Sequence, residues 1–162
     1  MGENGAKWGA QENQTEGECG VFVGEYQHTL DGKGRVVLPA RFRKALEEGG
    51  CVLTKGLDEC VSVWSTEDWE KEANRMMRLS REDRRSRQFS RSFFSGAVPQ
   101  DLDGQGRVTV PQNLRTFAAL EKDVVIVGVA DRIEIWDIER WQQVSAEADE
   151  VYAHVEEAFT DH

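Results

Sequence analysis

Leu30-Asp31-Gly32-Lys33-Gly34-Arg35-Val36 decides the fold of this chain, because the sequence repeats it as Leu102-Asp103-Gly104-Gln105-Gly106-Arg107-Val108. The second copy follows the first by 72 positions. Further pairs that match at this offset are Phe22 and Phe94, Gly24 and Gly96, Pro39 and Pro111, Arg43 and Arg115, Val52 and Val124, Gly56 and Gly128, Trp64 and Trp136, Glu67 and Glu139, and Trp69 and Trp141. Because the match requires no insertion, it indicates an internal duplication of one half-domain.

The composition is typical of a soluble globular protein and gives no sign of a membrane segment. The chain has 162 residues, of which 39% are hydrophobic and 31% are charged. No apolar run approaches the roughly 20 residues that a membrane-spanning helix needs. Residues 1–20 are rich in Gly, Glu, Gln and Asn and lack the apolar segment of a secretion signal, so we predict a disordered extension there.

The cysteines predict neither a disulfide framework nor a metal site. Cys19, Cys51 and Cys60 form an odd set without a C-x-x-C pair. Cys51 and Cys60 lie in apolar, strand-like runs, where a small buried hydrophobic residue is expected. The absence of a signal and of paired cysteines indicates a reducing cytoplasm. We expect no metal and no cofactor.

The net charge of −10 is spread unevenly along the chain. Residues 21–95 carry 14 Lys or Arg against 12 acidic residues, whereas residues 96–162 carry 5 against 14. A uniformly acidic protein would be repelled by nucleic acid. Any contact with a polyanion must therefore be local, or must be built by bringing several copies of a small basic patch together.

Each half of the chain predicts the same order of elements. The first half predicts strands at 21–29 and 35–38, a helix at 40–48, strands at 51–54 and 60–64, a helix from Ser65 to Met77, and a further helix capped by Ser80 and closed by Gly96. The second predicts strands at 98–102 and 107–110, a helix at 111–120, strands at 123–127 and 132–136, and a closing helix. In each half, the strands around the Gly-x-Gly turn are expected to pair as a hairpin.

The two halves are expected to share one core, because neither could bury both sides of so small a sheet. The closing helix has apolar or small residues at Ile138, Trp141, Ser145, Ala148, Tyr152, Val155 and Phe159, which predicts packing along its length. Trp64, Trp69, Trp136 and Trp141 are expected in the core. The predicted organisation is an extension at 1–20, repeats at 22–74 and 96–141, a helical link at 75–95, and an acidic helix or tail at 142–162.

The sequence resembles the MraZ transcriptional regulators from about Phe22 to Trp141. The segments that carry the resemblance are Gly24-Glu25-Tyr26 and residues 30–43 for the first repeat, residues 103–111 with Leu114-Arg115 for the second, and Ile133-Glu134-Ile135-Trp136 for a late strand. The doubled Asp-x-x-Gly-Arg signature at this spacing is specific to that family.

The resemblance implies an α+β fold, a pseudo-twofold β-barrel of duplicated β-turn-β, helix, β-hairpin, helix halves related to AbrB and SpoVT. It also implies ring-shaped homo-oligomers in the cytoplasm, associated with the nucleoid. The implied partner is double-stranded DNA with short, G-rich tandem repeats upstream of the division and cell-wall gene cluster, which the family usually represses. A small-molecule substrate is not implied.

The doubled turn allows two interpretations. It can present Arg35 and Arg107 together to guanine edges or phosphates, with Lys33 adding a phosphate contact and Gln105 a base contact. Alternatively, Asp31 pairs with Arg35, and Asp103 with Arg107, merely to hold the turns. The resemblance favours DNA contact for the two arginines, and we keep the structural interpretation for the two aspartates.

Three further arginines, Arg41, Arg43 and Arg115, flank the short helices near the same edge. They are candidate phosphate contacts or solvated surface residues, and the correspondence of Arg43 with Arg115 is compatible with a structural role. A separate arginine belt comprises Arg75, Arg78, Arg81, Arg84, Arg85, Arg87 and Arg91. Because charge-rich helices are usually solvated or contact other subunits, we favour contact of this belt with the acidic closing helix of a neighbouring copy over contact with DNA.

Two other classes of function were weighed. An enzyme is disfavoured, because His28, His154 and His162 are scattered and the Gly-x-Gly turn is too short for a nucleotide-binding loop. An antitoxin-like module, whose acidic C-terminal half masks a basic partner, is the second alternative. Steep loss of affinity for DNA with salt would distinguish a DNA-binding protein from it.

Overall fold

The computed structural model describes residues 21–156. The predicted extension at 1–20 and Phe159 of the closing helix lie outside the described residues. The elements in chain order are β1 (Glu25–Thr29), β2 (Arg35–Val37), α1 (Ala40–Glu47), β3 (Cys51–Lys55), β4 (Val61–Ser65), α2 (Thr66–Met76), α3 (Arg84–Ser95), β5 (Val98–Gln100), β6 (Arg107–Thr109), α4 (Gln112–Phe117), β7 (Asp123–Val129), β8 (Arg132–Asp137) and α5 (Ile138–Ala153). The α+β class and this order of elements are as predicted.

The strands form an antiparallel six-stranded sheet, in the order β1-β7-β8-β4-β3-β5, and an antiparallel two-stranded sheet of β2 and β6. The predicted hairpins of β1 with β2 and of β5 with β6 are wrong. β1 pairs with β7, β5 pairs with β3, and β2 pairs with β6. Each strand beside a Gly-x-Gly turn therefore pairs with a strand of the other repeat. The physical reason is burial, because exchange between halves covers apolar strand faces that a single half would leave exposed.

Two of the strand pairs between the repeats are centred on equivalent residues. In the β2–β6 pair, Val36 faces Val108, which follows it by 72 positions. In the β4–β8 pair, Ser62 faces Glu134, which is again its counterpart. An antiparallel pair centred on equivalent residues relates its two strands by a local twofold axis. The duplication in the sequence is therefore also a relation between the two halves in space.

One apolar core lies between the halves. It contains Val36 and Val108 from the short sheet and Phe42 and Leu114 from the equivalent helices α1 and α4. A second cluster forms where Trp136, Val125, Val127 and Cys60 meet α5. The predicted burial of Trp64, Trp136, Cys51 and Cys60 is confirmed, whereas Trp69 and Trp141 are only half-buried. Burial raises the pKa of the Cys51 thiol to about 12.

Helices α2 and α3 each begin at a side-chain cap, and the cap of α3 differs from the prediction. Ser65 caps α2 as predicted, since its Oγ accepts a hydrogen bond from the Asp68 amide at 3.1 Å. The predicted cap at Ser80 is wrong, because Asp83 caps α3 by accepting from the Ser86 amide at 2.9 Å. Ser80 instead accepts from the Glu82 amide at 3.1 Å. A carboxylate is the stronger acceptor for a backbone amide, so the helix begins after the aspartate.

The closing helix α5 packs against the body of the protein over its first half. Ile138, Trp141 and Val144 pack on the second cluster, and the Trp141 and Trp136 rings are 5.7 Å apart. Further along, Tyr152 and Val155 are 82% and 40% exposed, so these two residues of the predicted apolar stripe do not pack on the described part of the chain. Within residues 21–156, none of the helices combines the length and the hydropathy of a membrane-spanning segment.

Candidate nucleic-acid interface

The two Gly-x-Gly turns, residues 31–35 and 103–107, have the same internal hydrogen bonds. In the first turn, Asp31 Oδ1 accepts from the backbone amides of Lys33 and Arg35, each at 2.9 Å. In the second, Asp103 Oδ1 accepts from the backbone amides of Gln105 and Arg107 at the same distances. These bonds are those of an aspartate that stabilises a turn by replacing a backbone acceptor. The structural role predicted for both aspartates is confirmed.

Each aspartate also holds the arginine at the end of its turn. Arg35 Nε donates to Asp31 Oδ2 at 2.7 Å, and Arg107 Nε donates to Asp103 Oδ2 at 2.7 Å. Arg107 Nη1 lies 4.0 Å from Asp31 Oδ2, so the two turns are neighbours. Among the described residues, no hydrogen bond involves the terminal nitrogens of Arg35 or Arg107. Both arginines are thus fixed in orientation and retain donors for a further acceptor.

The turn bonds lower the pKa of both aspartates. The backbone amide of Arg35, assisted by the Arg35 guanidinium, lowers the pKa of Asp31 to about 2. The equivalent bonds from Arg107 lower the pKa of Asp103. Both carboxylates therefore stay ionised, and both arginines stay paired, at any pH near neutrality.

This depressed pKa predicts a specific dependence of stability on pH. Because Asp31 binds its proton more weakly when folded than when unfolded, its contribution is complete above about pH 4 and is lost as the pH falls towards about 2. In the Asp31→Asn variant that contribution is absent at every pH. The thermal midpoints of wild type and variant should therefore differ at pH 6 and converge at pH 2, measured at one protein concentration. A constant difference across this range would contradict the ion pair.

The remaining predicted site residues differ in exposure and in hydrogen bonding. Lys33 and Gln105 are exposed at the tips of the first and second turn, and Arg41 is exposed on α1. Arg43 and Arg115 are only half-exposed, and both donate to backbone carbonyls. Arg43 Nε donates to the Leu38 carbonyl at 2.8 Å, and Arg115 Nη1 donates to the Val110 carbonyl. The structure thus places Lys33 and Gln105 in the turns themselves and holds Arg43 and Arg115 by bonds to the backbone, so it does not present the predicted residues in the same way.

Sequence reasoning missed one polar residue beside the turns. The side-chain amide of Gln100 accepts from the Thr109 amide and donates to the Thr109 carbonyl, each at 2.8 Å, and so completes the edge of β6. Its counterpart in the first repeat is His28, whose pKa is lowered by burial and by the nearby Arg43 charge. No signal in the sequence indicated this bond, because the matching positions hold different residue types.

The geometry suits binding of a chemical group with two neighbouring acceptor atoms, either two oxygens or an oxygen and a nitrogen. A guanidinium that is anchored through Nε offers its two terminal nitrogens as a planar fork, which matches guanine O6 and N7 or a phosphate. Two such forks lie side by side, each on a rigid turn.

Comparison with known proteins agrees with the duplication. The family model described as the MraZ protein, antitoxin-like, matches residues 21–92 and again residues 93–162. The transcriptional regulator MraZ of Natranaerobius thermophilus is 45% identical over 143 residues, which cover 87% of this chain and 98% of that protein.

Two further relatives give the same result. The transcriptional regulator MraZ of Acetivibrio thermocellus is 46% identical over 127 residues, covering 78% of this chain and 88% of that protein. That of Desulfitobacterium hafniense is 46% identical over 138 residues, covering 85% and 96% respectively. The chain therefore belongs to the MraZ family, a family of transcriptional regulators and not of enzymes.

Proposed function

We propose that this chain is a DNA-binding transcriptional regulator that recognises short direct repeats in its own promoter region and represses the adjoining division and cell-wall genes. The observation that carries the proposal is the pair of arginines, Arg35 and Arg107, each anchored by Nε at 2.7 Å and each with terminal nitrogens that make no hydrogen bond within residues 21–156. A pair of fixed guanidinium forks is suited to guanine-rich sequence. In this account, the protein acts in the cytoplasm at the nucleoid.

The other predicted residues receive separate roles in the proposal. Lys33, at the exposed tip of the first turn, contacts phosphate, and Gln105, at the exposed tip of the second, contacts a base edge. Arg41 contacts phosphate from the exposed face of α1. Arg43 and Arg115 support the interface from within the protein, since each uses a donor for a backbone carbonyl. The first repeat therefore contributes more charge than the second.

The fold that we infer for this role is the pseudo-twofold barrel of the AbrB and SpoVT proteins. Its support is the pairing of β2 with β6 about Val36 and Val108, together with the 4.0 Å approach of Arg107 Nη1 to Asp31 Oδ2, which makes the two turns neighbours. A twofold relation of the two turns suits duplex DNA, whose backbone carries a twofold axis perpendicular to its length. We assign residues 22–74 and 96–141 to the two repeats and residues 75–95 to their helical link.

Oligomerisation reconciles DNA binding with a net charge of −10. Each pair of turns binds weakly, but several copies in a ring engage successive repeats on one DNA. Linked binding of this kind raises avidity by roughly 10² to 10⁴ through effective concentration.

The test is fluorescence anisotropy with promoter DNA that contains one repeat or several repeats. We expect tandem repeats to bind at least about 100-fold more tightly than one repeat, with affinity falling steeply as salt increases. A scrambled duplex of equal length is the control. Equal affinity for one and several repeats would refute the avidity argument. Absence of salt-dependent binding would refute the DNA-binding function and would favour the antitoxin-like alternative.

The ring contact that we propose joins an arginine-lined groove to an acidic helix end. The groove, about 280 Å³ in volume, lies between the end of α2 and α3, and we call it the α3 groove. Its apolar walls include Met76, Met77, Leu79 and Phe94, and its basic residues are Arg81, Arg87 and Arg91. The end of α5 has the complementary character, with exposed Val151, Tyr152 and Val155 among Glu147, Asp149, Glu150 and Glu156. We propose that the α5 end of a second copy occupies this groove.

A charge exchange tests this contact. The Arg81→Glu/Arg91→Glu variant and the Glu147→Lys/Glu150→Lys variant should each lower the oligomer mass, because each places like charges across the contact. The two changes combined in one chain should restore the mass. Native mass spectrometry gives the readout, and Lys71→Glu is the control for a charge change outside the groove. Oligomers of unchanged mass in both variants would show that the contact lies elsewhere.

A further inference from the structure

The structure assigns Arg43 and Arg115 a positioning role that crosses between the repeats: each arginine holds the turn of the other repeat in the shape that presents its DNA-facing arginine. This inference rests on the proposed function for its consequence, but its geometry is a property of the protein alone. It differs from the expectation that both residues act as phosphate contacts.

The first observation is that each arginine lies against the second glycine of the opposite turn. A Cβ added to Gly106 would come within 2.5 Å of Arg43 Cδ and 2.6 Å of Arg43 Nε. A Cβ added to Gly34 would overlap the Arg115 guanidinium. Arg43 is in the first repeat and Gly106 is in the second, whereas Arg115 and Gly34 have the reverse arrangement. These glycines have positive φ angles of +80° at Gly34 and +76° at Gly106, so both backbone shape and space exclude a side chain.

The second observation is two hydrogen bonds in series that connect each arginine to the opposite turn. The Gly106 carbonyl accepts from the Leu38 amide at 3.1 Å, and the Leu38 carbonyl accepts from Arg43 Nε at 2.8 Å. In the other direction, the Gly34 carbonyl accepts from the Val110 amide at 2.8 Å, and the Val110 carbonyl accepts from Arg115 Nη1. Each arginine therefore contacts the glycine of the opposite turn and also bonds the residue, Leu38 or Val110, whose amide bonds that glycine.

The third observation is the location of these glycines within the turns. Gly34 immediately precedes Arg35, and Gly106 immediately precedes Arg107. A change of backbone angle at either glycine would rotate the arginine that follows it and would break its bond to the aspartate. Consequently, loss of Arg43 disturbs Arg107, and loss of Arg115 disturbs Arg35. A simple phosphate contact would have no such effect on a distant turn.

Arg43 and Arg115 differ in the number of hydrogen bonds that hold them in place. Arg115 makes a second hydrogen bond, from Nη2 to Gln112 Oε1 at 2.7 Å. The counterpart of Gln112 in the first repeat is Ala40, which has no acceptor in its side chain. Arg115 therefore holds the first turn with more bonds than Arg43 uses for the second. The second turn should be the more easily released of the two.

Hydrogen–deuterium exchange on the full-length protein without DNA tests the inference directly. In Arg43→Ala, exchange should rise about tenfold in peptides that span residues 103–107 and stay unchanged in those that span 31–35. In Arg115→Ala, the pattern should be reversed. Arg43→Gln and Arg115→Gln retain an amide donor to the carbonyl and should restore much of the protection. An increase confined to the repeat that carries the substitution, or no increase in either turn, would overturn the inference.

A DNA-binding measurement then separates positioning from phosphate contact. Loss of a phosphate contact reduces the slope of log affinity against log salt by about one for each residue. The positioning role predicts that Arg43→Gln, which lacks the charge, binds promoter DNA within about threefold of wild type with an unchanged slope, whereas Arg43→Ala loses about tenfold. A slope that falls by one in Arg43→Gln would overturn the positioning role at that residue. Exchange could rise in the turn of the opposite repeat in each variant although neither wild type nor any variant binds DNA. In that case the proposed function fails, but the positioning role of Arg43 and Arg115 stands.

Discussion

Replacing Arg35 and Arg107 together by alanine is expected to reduce the affinity for promoter DNA by roughly 100-fold or more. Each guanidinium that binds a base with two hydrogen bonds contributes about 1–3 kcal/mol of discrimination, and the variant loses two of them. The variant should also approach the affinity of wild type for scrambled DNA, because the lost contacts are those that distinguish sequences. Fluorescence anisotropy at fixed salt gives both affinities.

The control for this prediction is a variant that loses the same charge elsewhere. Lys71→Glu changes the net charge by the same amount at an exposed position of α2. It should retain nearly the full ratio of specific to non-specific affinity. Oligomer masses should match among the three proteins, and the thermal midpoint of the arginine variant should fall only slightly, since Arg35 and Arg107 form only partly exposed ion pairs. A control that lost as much specificity as the arginine variant would show that overall charge, and not the turns, determines recognition.

The largest expected loss of stability follows from Phe42→Ala. Phe42 is 2% exposed, and its ring lies edge-on to the rings of Phe22 and Tyr26, each with centroids 5.4 Å away. Truncation of a buried phenylalanine leaves a cavity and typically costs about 3–5 kcal/mol. The loss is a large share of the roughly 5–15 kcal/mol that stabilises a typical domain.

Two further substitutions calibrate this effect. Leu114 is the counterpart of Phe42 and is fully buried, so Leu114→Ala should cost about 2–5 kcal/mol. Phe117 is 36% exposed, so Phe117→Ala should cost less than either. Urea unfolding of the three variants, at one protein concentration, measures the differences. If Phe42→Ala cost no more than Phe117→Ala, then the aromatic contacts of Phe42 with β1 would not support the core.

The sequence predicted local structure well because local rules determine it. The two turns were found from their glycines and aspartates, and the caps at Ser65 and Gly96 from residue types that suit helix ends. Strand partners were not predicted, because alternation of apolar residues specifies which face is buried but not which strand lies alongside. The choice between Ser80 and Asp83 as a cap also escaped prediction, since both residue types are favoured there.

The candidate site was predicted in its residues but not in its connections. The duplication identified Arg35 with Arg107 and Arg43 with Arg115 as equivalent pairs. It could not show that Arg43 reaches the second turn and Arg115 the first, because that arrangement arises from the pairing of β2 with β6 between repeats. Residue equivalence in a duplicated chain therefore indicates shared roles, whereas the contacts that fulfil them depend on tertiary structure.

Photo-crosslinking from defined positions tests most directly whether the turns contact DNA. Cys51 and Cys60 are buried, so after Cys19→Ser a photoreactive maleimide can be placed singly in Lys33→Cys, Gln105→Cys, Arg85→Cys or Gln142→Cys. These positions sample the two turn tips, α3 and α5. Our account predicts crosslinks to promoter DNA from positions 33 and 105, suppressed by unlabelled promoter DNA, and none from 142. Crosslinks from position 85, with none from positions 33 and 105, would contradict it and would indicate that the arginine-rich helices bind the DNA.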